Sequence, residues 1–154
     1  MRVHIGGDHA AYEMLGALVV FLEEEGHQVT NHGPISYDED DDYPVYVLRT
    51  AEAVASDQGS IGVVLGGSGN GEQMAANKVH GIRAALCYNE ELARLAREHN
   101  DAQVISIGAR MNSLEEAKAM VRTFLRTSFS HETRHTRRIG MVTAYEKTGV
   151  VPAL

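Results

Sequence analysis

Short apolar runs alternate along the chain with stretches whose apolar residues recur at helical spacing. Arg2 to Gly6 reads as a first strand, with Gly7-Asp8-His9 as its exit loop. From Tyr12 to Glu25, Met14, Leu15, Leu18, Val19 and Leu22 fall on one helical face, and Gly26 ends the helix. Gln28 to Asn31 is a short second strand, and Ser36 to Asp42 a polar loop. Tyr43-Pro44 starts a second helix, since proline is tolerated in a first turn, and Val47, Leu48, Ala51 and Val54 continue it to about Ala55. Ser60 to Leu65 is the third strand. A helical-looking stretch over Gln73 to Lys78 follows a glycine cluster, and Arg83 to Leu86 is the fourth strand. Asn89 is placed to cap a helix reaching about His99, and Val104 to Ile107 is the fifth strand. Ser113 with Glu116 three residues on predicts a capping box for a helix to about Thr127, and a last helix covers about Glu132 to Glu146.

Strand and helix in alternation, with strands that are short apolar runs, predict a parallel sheet covered on both faces. The expected architecture is an α/β fold: a Rossmann-like three-layer α/β/α sandwich with a five-stranded parallel sheet and an extra C-terminal helix. The domain is expected over residues 1–149, with a tail over 150–154. Ligands of such sheets sit outside the carboxyl ends of the strands. The loops there are Asp8-His9, Gly66 to Glu72, Cys87 to Asn89, and Gly108 to Arg110.

Composition narrows the classes. The 154 residues are 44% hydrophobic and 23% charged, which suits one globular domain. A net charge of −7 argues against a nucleic-acid partner, because phosphate backbones attract basic surfaces. No apolar run approaches the length of a membrane span, and the N-terminus reads as a strand rather than a signal peptide. Cys87 is the only cysteine, so no internal disulfide and no cysteine-based zinc site forms, and a reducing cytoplasm is the expected location.

The densest chemistry is Gly66-Gly67-Ser68-Gly69-Asn70-Gly71-Glu72, between an apolar strand and a helix start. Glycines let a ligand approach backbone N–H groups, and such groups cradle oxyanions. Glu72 is the exception, because its charge would repel a diphosphate. A carboxylate beside oxyanion donors suits proton abstraction from carbon. Burial would raise its pKa and a helix start would lower it, and the sequence does not sign the sum. Asp8-His9 reads equally well as a helix cap with a surface histidine or as an acid–base or phosphate contact at the active edge. His99-Asn100 reads from topology as an ordinary helix end at the opposite edge of the sheet. Arg134 and Arg138, one turn apart, are either a solvated basic face or, with Arg110, a phosphate clamp. His131 to His135 matches H-E-x-x-H, but no third ligand follows and Arg134, Arg137 and Arg138 oppose a cation, so a zinc hydrolase is not expected. Cys87 reads as packed and inert.

Taken together, several separated motifs resemble the type B ribose-5-phosphate isomerases, which share a family with galactose-6-phosphate and allose-6-phosphate isomerases. The matching stretches are Ile5 to Ala11, Gly66 to Glu72 with Ala75 to Lys78, Gly81 to Ala85, His99 to Ala102, Gly108 to Arg110, and the Arg134/Arg138 helix. One departure is informative. Many members carry a catalytic cysteine where this chain has Gly66, so the chain resembles the branch that uses a glutamate, here Glu72. The resemblance implies a metal-independent aldose–ketose isomerase with no cofactor, acting on a phosphorylated sugar as a homodimer or homotetramer with sites shared between subunits. It gives His99, with Asp8, the opening of the sugar ring, which replaces the bland reading of that histidine. Glu72 would move the proton between carbons, with Ser68 and the backbone of Gly67, Gly69, Asn70 and Gly71 holding the developing anion. Asn100 would hold sugar hydroxyls, and His9, Arg110, Arg134 and Arg138 the phosphate. A 6-phosphohexose isomerase and a non-catalytic phosphosugar-binding module are the alternatives.

Overall fold

The computed structural model describes residues 1–153. Five parallel strands, β1 (Arg2–Gly7), β2 (Gln28–Asn31), β3 (Ile61–Gly66), β4 (Ala84–Leu86) and β5 (Val104–Gly108), pair in the order β2-β1-β3-β5-β4. The helices between them are α1 (Tyr12–Glu24), α2 (Tyr43–Ser56), α3 (Asn70–Ala76) and α4 (Glu90–Asn100), and α5 (Leu114–Arg126) and α6 (Thr133–Thr148) follow the last strand. A 3₁₀ turn over His9–Ala11 joins β1 to α1. The expected α/β/α sandwich with five parallel strands and a final helix is what forms.

The central strands β3 and β5 are buried on both faces, as their continuous apolar runs require, while the edge strand β2 is largely exposed. On one face Ile5, Val63, Leu65, Ile105 and Ile107 pack with Leu15, Leu18 and Leu22 of α1, Ala93 of α4 and Met120 and Phe124 of α5. On the other, Val64 and Val104 pack with Val47, Ala51 and Val54 of α2 and Ala76 of α3. Period-2 alternation divides adjacent residues of β3 between the two cores. α6 packs on α4, outside the sandwich.

The chain leaves β1 for α1 on one face and β3 for α3 on the other. β1 and β3 are neighbours, with Gly7 beside Leu65 in register. A crevice opens where adjacent connections diverge, and it is here flanked by Asp8 and the Gly66–Glu72 loop.

Two expected local features are present. The Asn89 side chain accepts from the Leu92 N–H at 2.9 Å, and the Ser113/Glu116 capping box is complete. One boundary differs: α3 begins at Asn70 rather than Gln73, because Gly69 turns the chain in the left-handed region (φ 81°) and helical geometry starts at once. Glu72 therefore belongs to the first turn of α3. Gly149 (φ 68°) closes α6, and residues 150–153 carry no regular structure; Leu154, the end of the expected tail, lies outside the described residues. No helix among the described residues is long and apolar enough to cross a membrane.

Candidate active site

The loop after β3 is held by its neighbours. Gly66 and Gly67 carbonyls accept from the Ala109 and Arg110 N–H groups at 2.8 and 3.0 Å, and the buried Ser106 hydroxyl donates to the Gly69 carbonyl at 2.7 Å. The fit is tight. A side chain at Gly69 would meet Leu86 Cδ1 at 2.6 Å, and one at Gly71 would meet the Tyr43 ring at 2.7 Å. The Ser68 hydroxyl faces its own loop, accepting from the Asn70 backbone N–H and side-chain amide at 3.3 Å.

Into this loop the first turn of α3 delivers Glu72, whose side chain is buried and, among the described residues, makes no ion pair. Its carboxylate lies against the Cα of Gly66, in the volume any side chain at position 66 would take. A glutamate here and a side chain on residue 66 exclude each other, which accounts physically for the glycine. Gly66→Ala is accordingly expected to displace the carboxylate and cut kcat by about a hundredfold, the cost of an ångström-scale misplacement, with melting temperature reporting whether the fold has followed.

Burial raises the Glu72 pKa, and the nearby Asp8 charge pushes the same way; the N–H groups of Glu72 itself and Gly69 oppose it without cancelling it. The sign left open by the sequence is thus upward, toward a usable general base. Asp8, buried beyond the end of β1, accepts from the Ala10 N–H at 3.1 Å, so the capping reading is correct as far as it goes. Burial raises its pKa as well, against His9, the Ala10 N–H and Arg110. The Arg110 guanidinium reaches within 3.5 Å of the point where a Gly67 side chain would begin. Asp8, His9, Gly67, Ser68, Gly69, Asn70, Gly71, Glu72 and Arg110 therefore share one edge of the sheet.

His99, Asn100, Arg134 and Arg138 lie elsewhere. α4 starts at the carboxyl end of β4 and runs back along the sheet for eleven residues, about 16 Å at the helical rise. Its last residue, Asn100, gives its carbonyl to Arg83 Nε at 2.8 Å, beside the amino end of β4. His99 stacks on His135 of α6, with ring centroids 4.2 Å apart, and the His135 ring meets the Ser130 hydroxyl at 2.7 Å. His99 and burial hold the His135 pKa down, burial more. Arg134 and Arg138 are exposed on α6, Arg134 paired with Glu132 at 2.8 Å. A single chain thus separates the expected residues into two groups on opposite edges.

Several outcomes concern residues outside those groups. Cys87 is buried and its pKa is pushed up to about 12 by desolvation, an inert thiol. His131 sits ahead of α6 in the left-handed region (φ 55°), so it and His135 do not share a helical face as H-E-x-x-H would need. Asp8, His9 and Asp41 bring ligand-type atoms within 4.8 Å of one another, the arrangement among the described residues that could hold a cation. Three neighbours escaped sequence reasoning. Ser106 sits in an apolar strand, Tyr43 reads as a helix start, and Asp41 lies in a stretch that reads only as a polar loop. Only Tyr43, an aromatic beside a loop that faces the active edge, offered a signal.

Comparison with known proteins places this geometry. The Ribose/Galactose Isomerase family model matches residues 3–142. The ribose-5-phosphate isomerase B of Mycolicibacterium paratuberculosis is 50% identical over 152 residues, covering 99% of this chain and 96% of that protein. That of Escherichia coli is 36% identical over 95% of this chain and 97% of its own. Among solved structures, Clostridium thermocellum ribose-5-phosphate isomerase B superposes with a TM-score of 0.92 at 40% identity, covering 97% of this chain and all of that one. The Mycoplasma genitalium enzyme with bound ribulose-5-phosphate gives 0.92 at 34% identity, covering 96% and 97%. With the family model spanning most of the chain and relatives matched over nearly their whole lengths, this chain belongs to the ribose/galactose isomerase family.

Proposed function

We propose that the chain interconverts ribose 5-phosphate and ribulose 5-phosphate, as the relatives described above are named for doing, with Glu72 as the base. The observation that carries this is a buried carboxylate with no cationic partner among the described residues, set inside a glycine loop. Such a group accepts a proton from carbon more readily than a solvated carboxylate does. Ring opening comes first and moves a proton between the ring oxygen and the anomeric hydroxyl, through His99 and Asp8. Glu72 then takes the C2 proton, a cis-enediolate forms, and Glu72 returns the proton to C1 while the O2 proton passes to O1. Charge develops on oxygen during that step, and the Ser68 hydroxyl with the backbone N–H groups of Gly67, Gly69, Asn70 and Gly71 serves to hold it. Each proton taken is given back, so no cofactor and no metal enters.

The full set of groups requires a second copy of the chain. His9 and Arg110 from one subunit and Arg134 and Arg138 from the other clamp the phosphate, since guanidinium forks match its oxygens. His99 and Asn100 arrive with those arginines, because α4 and α6 pack together. The open edge of β4 supports this reading, flanked by exposed Leu92 and Val142 (38% and 61%). A dimer is the smallest assembly that meets the requirement.

Turnover of ribose 5-phosphate against allose 6-phosphate, with and without EDTA, tests the assignment. Ribulose 5-phosphate formation, faster than the hexose reaction and indifferent to EDTA, is the expected result. Binding of ribose 5-phosphate without any product would leave only a phosphosugar-binding module.

A further inference from the structure

The segment between β2 and α2 ends in Asp38 to Asp42, and its first members are solvated: Asp38, Glu39 and Asp40 are exposed. Asp41 is not. Its side chain is 4% exposed and turns toward the active edge. One carboxylate oxygen, Oδ1, accepts from the His9 backbone N–H at 2.9 Å and from His9 Nδ1 at 2.7 Å. The other, Oδ2, is buried with no hydrogen-bond partner among the described residues. The Tyr46 hydroxyl lies beside this carboxylate, and the shortest contacts of Asp41 run to His9, which ties the buried group to the site rather than to the core.

A carboxylate only accepts, so the His9 proton at Nδ1 is committed to Asp41 and Nε2 is the ring's free end. The Tyr37 ring, edge-on with centroids 6.3 Å apart, closes one side of the imidazole, and Tyr12 in turn supports Tyr37. We infer that Asp41 is a positioning residue, fixing the His9 ring so that Nε2 presents a proton to the substrate's phosphate. This rests on the reading of His9 as a phosphate ligand given above.

The charge state follows the same contact. With Nδ1–H turned to Asp41, a neutral ring would show a lone pair to a phosphate dianion, whereas an imidazolium donates at both ends. The Asp41 hydrogen bond raises the His9 pKa, and the Asp8 and Asp41 charges add to it; burial and Arg110 oppose. The titratable and charged groups around the ring are Asp8 at the end of β1, Tyr12 and Glu13 of α1, Asp41 and Tyr37 of the β2–α2 loop, Tyr46 of α2 beside Asp41, and Arg110 after β5. The hydrogen bond to the Asp41 carboxylate is the largest raising contribution, and a neutral amide at position 41 weakens it and removes the Asp41 charge as well.

The test is Asp41→Asn, read in three ways: the NMR titration of His9, the pH dependence of inhibition by inorganic phosphate, and steady-state kinetics. The His9 pKa should fall by about one unit, the size of a single close charge. KM for ribose 5-phosphate and the inhibition constant for phosphate should then rise about threefold at neutral pH and approach about tenfold at alkaline pH, where the ring is mostly neutral in both proteins. The change should leave kcat within about twofold, and the alkaline loss of phosphate binding should begin at lower pH. In a His9→Asn background the same substitution should add nothing, as expected when one residue acts through another. An unchanged His9 titration, or a full additional loss on top of His9→Asn, overturns the inference. If His9→Asn itself leaves phosphate inhibition untouched, the phosphate reading of His9 fails instead, and the titration shows this separately. Should Asp41→Asn not fold, Asp41→Glu carries the test. Its charge is kept and its arm lengthened, so KM should rise with the His9 titration in place; an unaltered KM would refute the positioning role.

Discussion

Glu72→Gln should lose about 10²–10⁴-fold in kcat, the range general base catalysis supplies, while ribose 5-phosphate still binds. The amide fills the same volume against Gly66, so the loss isolates the proton-accepting function rather than the packing. The same substitution should stabilise the fold at neutral pH. Glu72 has a folded-state pKa above its ordinary value, so its contribution to stability is full below the unfolded pKa and is lost as pH rises through the folded one. At neutral pH the charged carboxylate is therefore a burden that a neutral amide removes. Thermal unfolding should show a higher Tm for the variant at neutral pH, each 1 kcal/mol being worth about 2–4 °C at this length, with the difference shrinking as pH is lowered. A variant both inactive and less stable would mean that Glu72 is a structural carboxylate.

Mixing two dead variants should recover activity. Glu72→Gln and His99→Asn damage different groups, and a single chain holds those groups on opposite edges. In a mixed dimer one site joins two damaged halves and the other joins two intact ones. Random exchange of subunits at equal amounts makes half the dimers mixed, so about a quarter of wild-type activity should return for a two-fold symmetric pair. The check is to unfold and refold the variants together and separately. No recovery above the sum of the separate samples, with mixed dimers shown to have formed, would place His99 and Glu72 in the same chain's site or remove one of them from it.

Much of this arrangement was legible before any coordinates. Apolar runs and helical periods located every strand and every long helix, because each element buries a face whose period is local. Ser113 and Asn89 were legible for the same reason: a cap involves residues three apart. Glu72 stood out because a charge had no business in a phosphate-type loop. What was not legible depends on contacts far along the chain. The upward shift at Glu72 comes from burial and from Asp8, sixty-four positions away, and no local pattern weighs those against the N–H groups of its own helix start. Asp41 is one of several acids in a stretch that reads only as a polar loop, and the path of that loop toward His9 distinguishes it. For His99, topology correctly placed the residue at the far edge and, taken alone, argued against a role. The family resemblance implied a role, and the proposed second chain would reconcile the two.

The most direct measurement follows the hydrogen itself. Ribose 5-phosphate carrying deuterium at C2 is incubated in ordinary water, and the label is tracked by NMR at C1 of the product and at C2 of the recovered substrate. Wild-type protein should move the deuterium to C1 or wash it into solvent, and Glu72→Gln should leave it at C2 throughout while the sugar remains bound. Loss of the label at a near wild-type rate in Glu72→Gln would contradict the account, because some other group would then be taking the proton.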